Sequence, residues 1–199
     1  MIFPSAEDLI EHLKKVIPST RFLKMWGVNY EVPLFLCPYP STQKVDLEIL
    51  FPTLTKFLGN KNIHVLTINL YDLSIEILQN KGLFEQLCEN EQIFDKDQFL
   101  ELLQGVLDVE EVIVPAVEQK LNGFHPDILF LNGVGEIFPY IRTHCVLNNI
   151  QRLVNSLPTI IFFPGEYVQS RERGSSLKLF GKLQDDKYYR AYDITNYEA

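Results

Sequence analysis

Glu166 follows Pro164-Gly165 at the end of the apolar run 159–163. That puts a carboxylate at the C-terminal end of a candidate strand, where ligands sit in open α/β sheets. General acid or base chemistry needs a second group within reach, and the sequence identifies none. Cys37 also ends an apolar run, but no partner base marks it as a nucleophile, so a buried structural thiol is the expectation. No GxSxG elbow is present. His12, His64, His125 and His144 are scattered, without HExxH or a pair at helical ligand spacing. His125-Pro126-Asp127 would set a histidine and a carboxylate at a strand start, and a surface histidine in a turn is the commoner explanation. The loop after the first apolar run, PYPSTQK, has no glycine, and its prolines remove donors, so it is not a phosphate-binding P-loop. Asn132-Gly133-Val134-Gly135-Glu136 holds GxG but lacks the third glycine of a dinucleotide fingerprint. It reads as a glycine turn into a helix whose N–H groups could face an anion. Near the C-terminus, Arg171, Arg173, Lys178, Lys182, Lys187 and Arg190 outnumber Glu172, Asp185 and Asp186, and Tyr188, Tyr189 and Tyr192 interleave. Basic plus aromatic is the composition of a single-strand nucleic-acid platform. The sequence therefore assigns no catalytic, cofactor-binding or metal-binding residue, and no cofactor.

The elements that would position these residues follow from periodicity. Residues 6–17 have apolar side chains at helical spacing, with Ser5 as N-cap and Asp8 completing a weak capping box. Residues 32–37, 63–70, 127–131 and 159–163 are strand-length apolar runs. Pro164-Gly165 is expected to end the fourth. A helix with Pro52 inside it, kinked or divided there, joins the first two strands. Asp72 or Ser74 is expected to cap the next helix. Residues 83–121 are expected to form two or three helices with Leu87, Phe94, Phe99, Leu102, Leu103, Val106 and Leu107 as core candidates and Asp108 capping the last. A helix over about 139–154 follows the GxG turn. The run 177–183 would add an edge strand, and Trp26 is expected to be a packing anchor. Strands alternating with helices argue a mostly parallel central sheet of about five strands, covered by helices on both faces. This is the core of a P-loop NTPase-like or Rossmann-like fold without its phosphate-binding loop. The expectation is one α/β domain over 1–199, with a mainly helical acidic insertion around 83–121.

The formal net charge is -8, and it is concentrated. Residues 84–118 carry ten carboxylates against Lys96 alone. Solvated helix faces explain this, and a docking surface for a basic partner is the sharper alternative. Duplex binding by that segment is excluded, because phosphate contacts need Lys and Arg. Cys37, Cys88 and Cys145 are far apart and contain no CxxC, as expected of reduced thiols in a cytoplasmic protein. No signal peptide or membrane span is expected.

The phrases FFPGEY, LKLFG and DDKYYRAYDI, in this order and spacing, resemble the BrxB family, the small B-component of bacteriophage-exclusion (BREX) systems. The early helix, the apolar strand near residue 34 and IHVLTINL followed by LYDL are also similar. The resemblance implies antiviral defence. BREX systems separate self from phage DNA using a methyltransferase, a large ATPase and a member of the alkaline-phosphatase superfamily. It further implies a non-enzymatic assembly or adaptor subunit that binds those proteins. Phe163, Pro164, Gly165, Glu166, Leu179, Phe180, Gly181, Tyr188, Tyr189 and Arg190 are then candidates for holding the fold or docking a partner. The alternatives are a degenerate nucleotide-binding switch near residues 39–44 or 133–136, and a nucleic-acid adaptor using the C-terminal basic and tyrosine-rich segment.

Overall fold

The apolar runs form the centre of a sheet in a computed structural model that describes residues 3–25, 33–170, 174–185 and 191–198. Trp26, Val32, Arg171, Glu172, Arg173, Lys187, Tyr188, Tyr189 and Arg190 lie outside the described residues. Strands β1 (Leu34–Tyr39), β2 (Val65–Asn69), β3 (Ile128–Asn132) and β4 (Thr159–Ser170) lie in the order β2-β3-β4-β1, and β7 (Tyr192–Asp193) flanks β1. All neighbours on this path run parallel. The fold is thus α/β with a mostly parallel sheet.

Near-continuous apolar strands are what a sheet buried on both faces requires, and alternate side chains serve opposite cores. Leu34, Leu36, Leu129, Leu131, Ile161 and Phe163 enter one core. Phe35, Cys37, Ile128, Phe130, Ile160 and Phe162 enter the other. The second core is closed by α1 (Ala6–Val16), α2 (Thr20–Leu23) and α3 (Lys44–Gly59) through Leu9, Leu13, Phe22, Leu47, Leu54 and Leu58. The first is closed by α4 (Leu70–Asn80), α7 (Val114–Phe124) and α8 (Thr143–Ile150).

Several local expectations hold. Ser5 caps α1 by accepting from the Asp8 N–H at 3.1 Å. The Asp8 carboxylate takes the Ser5 hydroxyl rather than closing a full box. Asp108 accepts from the N–H groups of Glu110 and Glu111 at 2.9 and 2.8 Å, capping a π-helical turn (Val109–Ile113) that runs into α7.

Other expectations are corrected. The division expected at Pro52 does not occur, and α3 continues through it as one helix. Asn69, not Asp72 or Ser74, caps α4 by accepting from the N–H groups of Tyr71 and Asp72. Ser74 is buried and bonds back to the Leu70 carbonyl at 2.8 Å. The helix after the GxG turn begins only at Thr143, because residues 134–142 form turns around Pro139. Pro164-Gly165 does not end β4. The strand runs through both residues and pairs antiparallel with β5 (Gly174–Leu179), which pairs with β6 (Leu183–Asp185). Proline is tolerated there because its carbonyl is what the ladder uses, accepting from the Phe180 N–H at 2.8 Å.

The acidic helices α5 (Phe84–Asn90) and α6 (Lys96–Val106) lie in the crossover between β2 and β3 and contain no buried residue. Of the seven core candidates in this region only Leu107 is buried, and the core contribution comes from Ile113, Val117 and Leu121 instead. All ten carboxylates are exposed. Asp95 and Gln98 close a reciprocal capping box at the start of α6. Gly105, exposed in α6, has open space where a Cβ would stand. Gly105→Ala is therefore expected to stabilise the protein by about 0.5–1 kcal/mol, by restricting the unfolded chain. Urea unfolding of the two proteins checks this.

Candidate functional site

The strands of the parallel sheet end together, and three segments that are distant in sequence meet there: residues 39–44, 133–136 and 164–166. Lys44 joins the first two. Its Nζ lies 3.4 Å from Glu48 and 3.4 Å from Glu136. Partial burial pulls the Lys44 ammonium down, but the two carboxylates outweigh it and raise its pKa. The ion pairs use up the cation that a phosphate would need. Gly133 has φ 77°, and a Cβ there would collide with the Asn69 cap of α4. This glycine is required by the close approach of two strand ends, and α8 starts only at Thr143, so the GxG loop does not present a helix N-terminus to an anion. Asn132 Oδ1 and Gln43 Oε1 are buried without hydrogen-bond partners.

The third segment carries the motif. Phe163 is fully buried and Pro164 and Gly165 are buried. A Cβ on Gly165 would collide with the Lys178 carbonyl of the paired strand. Leu179 is 6% exposed. Glu166 and Lys178 face each other across β4 and β5, with 3.8 Å between the charged groups. A β-turn joins β5 to β6, closed by the Lys182 N–H on the Leu179 carbonyl at 3.0 Å. Its central residues, Phe180 and Gly181, have φ 56° and 67°. Two positive φ values define the primed turn that suits a twisted hairpin. Glycine adopts it freely, but a bulky residue does so at a cost of roughly 1–2 kcal/mol. Phe180 nonetheless occupies the turn, 40% exposed. Its ring lies over Gly135 and Pro164, where a Cβ on Gly135 would meet it at 2.9 Å.

The structure therefore gathers Phe163, Pro164, Gly165, Glu166, Leu179, Phe180 and Gly181 into one hairpin root. Tyr188, Tyr189 and Arg190 lie outside the described residues. The buried members hold the hairpin to the sheet. Glu166 and Phe180 point outward, with Val168, 48% exposed, on the same side. Sequence reasoning missed Val168. Its signal was the alternation of Glu166 and Val168 along a strand wrongly ended at Gly165.

Other candidate groups are placed elsewhere. Asp127 does not serve His125. It accepts from the His64 N–H at 2.7 Å and lies 3.0 Å from His64 Nδ1, on an exposed edge. Tyr192 stacks near Phe35, with ring centroids 5.9 Å apart. Among the described residues no group of three potential ligands could hold a metal, and no helix is long and apolar enough to cross a membrane.

Cys37 and Tyr39 lie on the core side of β1. Burial first, then Asp193, pushes the Cys37 thiol far above its ordinary value of 9.0. Burial first, then Cys37, Glu136 and Glu48, pushes the Tyr39 phenol far up as well. A nucleophilic thiolate is thus disfavoured at Cys37. Its proton stays on in the folded state and leaves the unfolded chain above about pH 9, so folding stability falls as pH rises through that point. The slope is up to about 1.4 kcal/mol per pH unit for one proton. Chemical unfolding between pH 8 and 10 should show this decline, and Cys37→Ala should reduce it, leaving the part that Tyr39 adds toward pH 10.

Comparisons with known proteins agree on one family. The model of the family "BREX protein BrxB" matches residues 66–194, which include all but the first residue of β2, and β3 to β7 with the whole hairpin. A BREX protein BrxB of Bacillus cereus (strain H3081.97) is 31% identical over 190 residues, covering 94% of this chain and 96% of that protein. One of Escherichia coli O9:H4 (strain HS) is 26% identical over 194 residues, covering 98% and 94%. No solved structure matches the chain. With the motif placed on one hairpin and these matches spanning the sheet, the chain belongs to the BrxB family of BREX phage-defence systems.

Proposed function

We propose that this protein is a non-catalytic assembly subunit of its BREX system, and that the outer face of the β4–β5–β6 hairpin docks another BREX protein. The observation that carries this reading is Phe180. It is a large apolar side chain, part exposed, in a left-handed backbone position that glycine or asparagine would fill at lower cost. Such an outlier persists where the side chain serves something else. A partly exposed aromatic in the turn at the hairpin root, on the same face as exposed Val168, is the composition of an interface anchor. The carboxylate at this sheet end, Glu166, is paired with Lys178 and has no further charged partner among the described residues, which supports docking over chemistry.

The candidate partners are the alkaline-phosphatase-superfamily component, the large ATPase and the methyltransferase. Each is to be co-expressed with this chain and passed over a sizing column at low and moderate salt. Stoichiometric co-elution with one of them at moderate salt is the expected result, since an apolar anchor is not screened by ions. A complex lost as salt rises would move the interface to the acidic helices. Absence of co-elution with all three would end the assembly reading.

A further inference from the structure

The inner face of the same hairpin covers a cavity of about 370 Å³. Apolar Phe138, Phe163 and Leu177 line it together with Arg142, Thr143 and Lys182. Among the described residues no acidic side chain lines it, although the chain as a whole is strongly acidic. The side chains of Arg142 and Lys182 make no ion pair or hydrogen bond among the described residues, in contrast to those of Lys44 and Lys178. Thr143 is 8% exposed, so more than nine-tenths of it is buried. Its hydroxyl nevertheless has no hydrogen-bond partner among the described residues, and the residue lines the cavity. A hydroxyl that borders a cavity is placed to meet a ligand there.

Thr143 is also the first residue of α8, and Arg142, its N-cap, provides no side-chain cap. The opening N–H groups of an eight-residue helix are thus not capped by a side chain. An uncapped helix start with the positive end of its dipole, one hydroxyl and two cationic side chains border one cavity. That set complements a doubly charged oxyanion better than a single carboxylate. The apolar wall behind it complements a flat ring system. The volume lies at the lower end of the range for small-molecule sites, which fits one mononucleotide and no more.

We infer that the cavity between the hairpin and the start of α8 binds a mononucleotide-sized organic phosphate, its phosphate on Arg142, Thr143 and Lys182 and its ring against Phe138, Phe163 and Leu177. The site is separate from the outer face, so ligand and partner can be tested independently.

Binding of AMP, adenosine and inorganic phosphate to the isolated full chain is to be measured by titration calorimetry and thermal shift. AMP is expected to bind and raise the melting temperature, because a ligand that binds only the native state stabilises it. Adenosine, without the anion, should give no shift at the same concentration. Inorganic phosphate should bind at least tenfold more weakly than AMP. Arg142→Ala and Lys182→Ala should each weaken AMP about tenfold or more, the loss expected for one charge-assisted hydrogen bond. Both side chains are exposed, so their melting temperatures without ligand should match wild type. Thr143→Val, nearly the same shape, should also weaken AMP, and it covers the case in which either cation variant folds poorly. Phe180→Asn, on the outer face, should leave AMP binding unchanged. No binding of AMP at millimolar concentration would overturn the inference. So would adenosine or phosphate binding as well as AMP, or AMP binding that survives loss of Arg142 and Lys182.

Discussion

Gly165→Ala is expected to lower stability by about 3 kcal/mol or more, while Phe180→Asn leaves it within about 1 kcal/mol. The added methyl at Gly165 would run into the Lys178 carbonyl of β5, with the Phe163 ring 2.9 Å away on the other side. The obstacle is backbone in a paired strand and cannot rotate aside, so β4 and β5 must separate or the sheet must shift. Overpacking of this kind costs typically 1–3 kcal/mol and more where backbone is involved. For a chain of this size that corresponds to a fall in melting temperature of roughly 6–12 °C. At Phe180 the signs nearly cancel. Asparagine loses the ring packed over Gly135 and Pro164 but relieves the left-handed backbone. Thermal melts of the two variants separate the motif residues that build the hairpin from the one that it presents.

Phe162→Ala carries the second large effect. Phe162 is 1% exposed at the centre of the core between the sheet and α1–α3. Its ring meets Phe51 of α3 edge-on at 4.6 Å and Phe130 of β3 at 5.3 Å. It therefore ties a helix and two strands together. Truncation removes the buried ring and leaves a cavity that fixed neighbours on three elements cannot fill. The expected loss is about 3–5 kcal/mol, plus the edge-to-face terms of two aromatic pairs, about 0.5–1.5 kcal/mol each. Equilibrium urea unfolding should show the midpoint fall at an unchanged slope, the mark of lost stability rather than altered compactness.

The four long strands were legible because burial on both faces writes an apolar run that no surface segment imitates. Residues 128–131 and 159–163 are cases where nearly every side chain enters one core or the other. The strand order was not legible, since nothing local tells β4 to lie between β3 and β1. The extension of β4 was misread for a related reason. Pro164 looked like a terminator because its missing N–H is a local property, but whether that N–H is needed depends on β1 and β5. The acidic helices misled in the other direction. Leu87, Phe99 and Leu103 have helical spacing, yet the layer they form lies outside the main core, where they are only partly covered.

The candidate site divides in the same way. The hairpin root was legible as a motif, and cross-strand register explains why its residues belong together: Gly165 faces Leu179, and Glu166 faces Lys178. Arg142, Thr143 and Lys182 belong to no local pattern. They meet only because the hairpin folds back over the start of α8. His64 and Asp127 likewise come together through the parallel pairing of β2 with β3.

The measurement that bears most directly on the docking claim compares wild type with a Phe180→Asn/Val168→Thr variant in co-elution with the BREX proteins. Both replacements suit their backbone positions, a left-handed turn and an exposed strand, so the melting temperature should hold. The account predicts a stoichiometric complex for wild type and its loss in the variant, with AMP binding intact. A variant that keeps the complex, or a wild type that forms none, would contradict it.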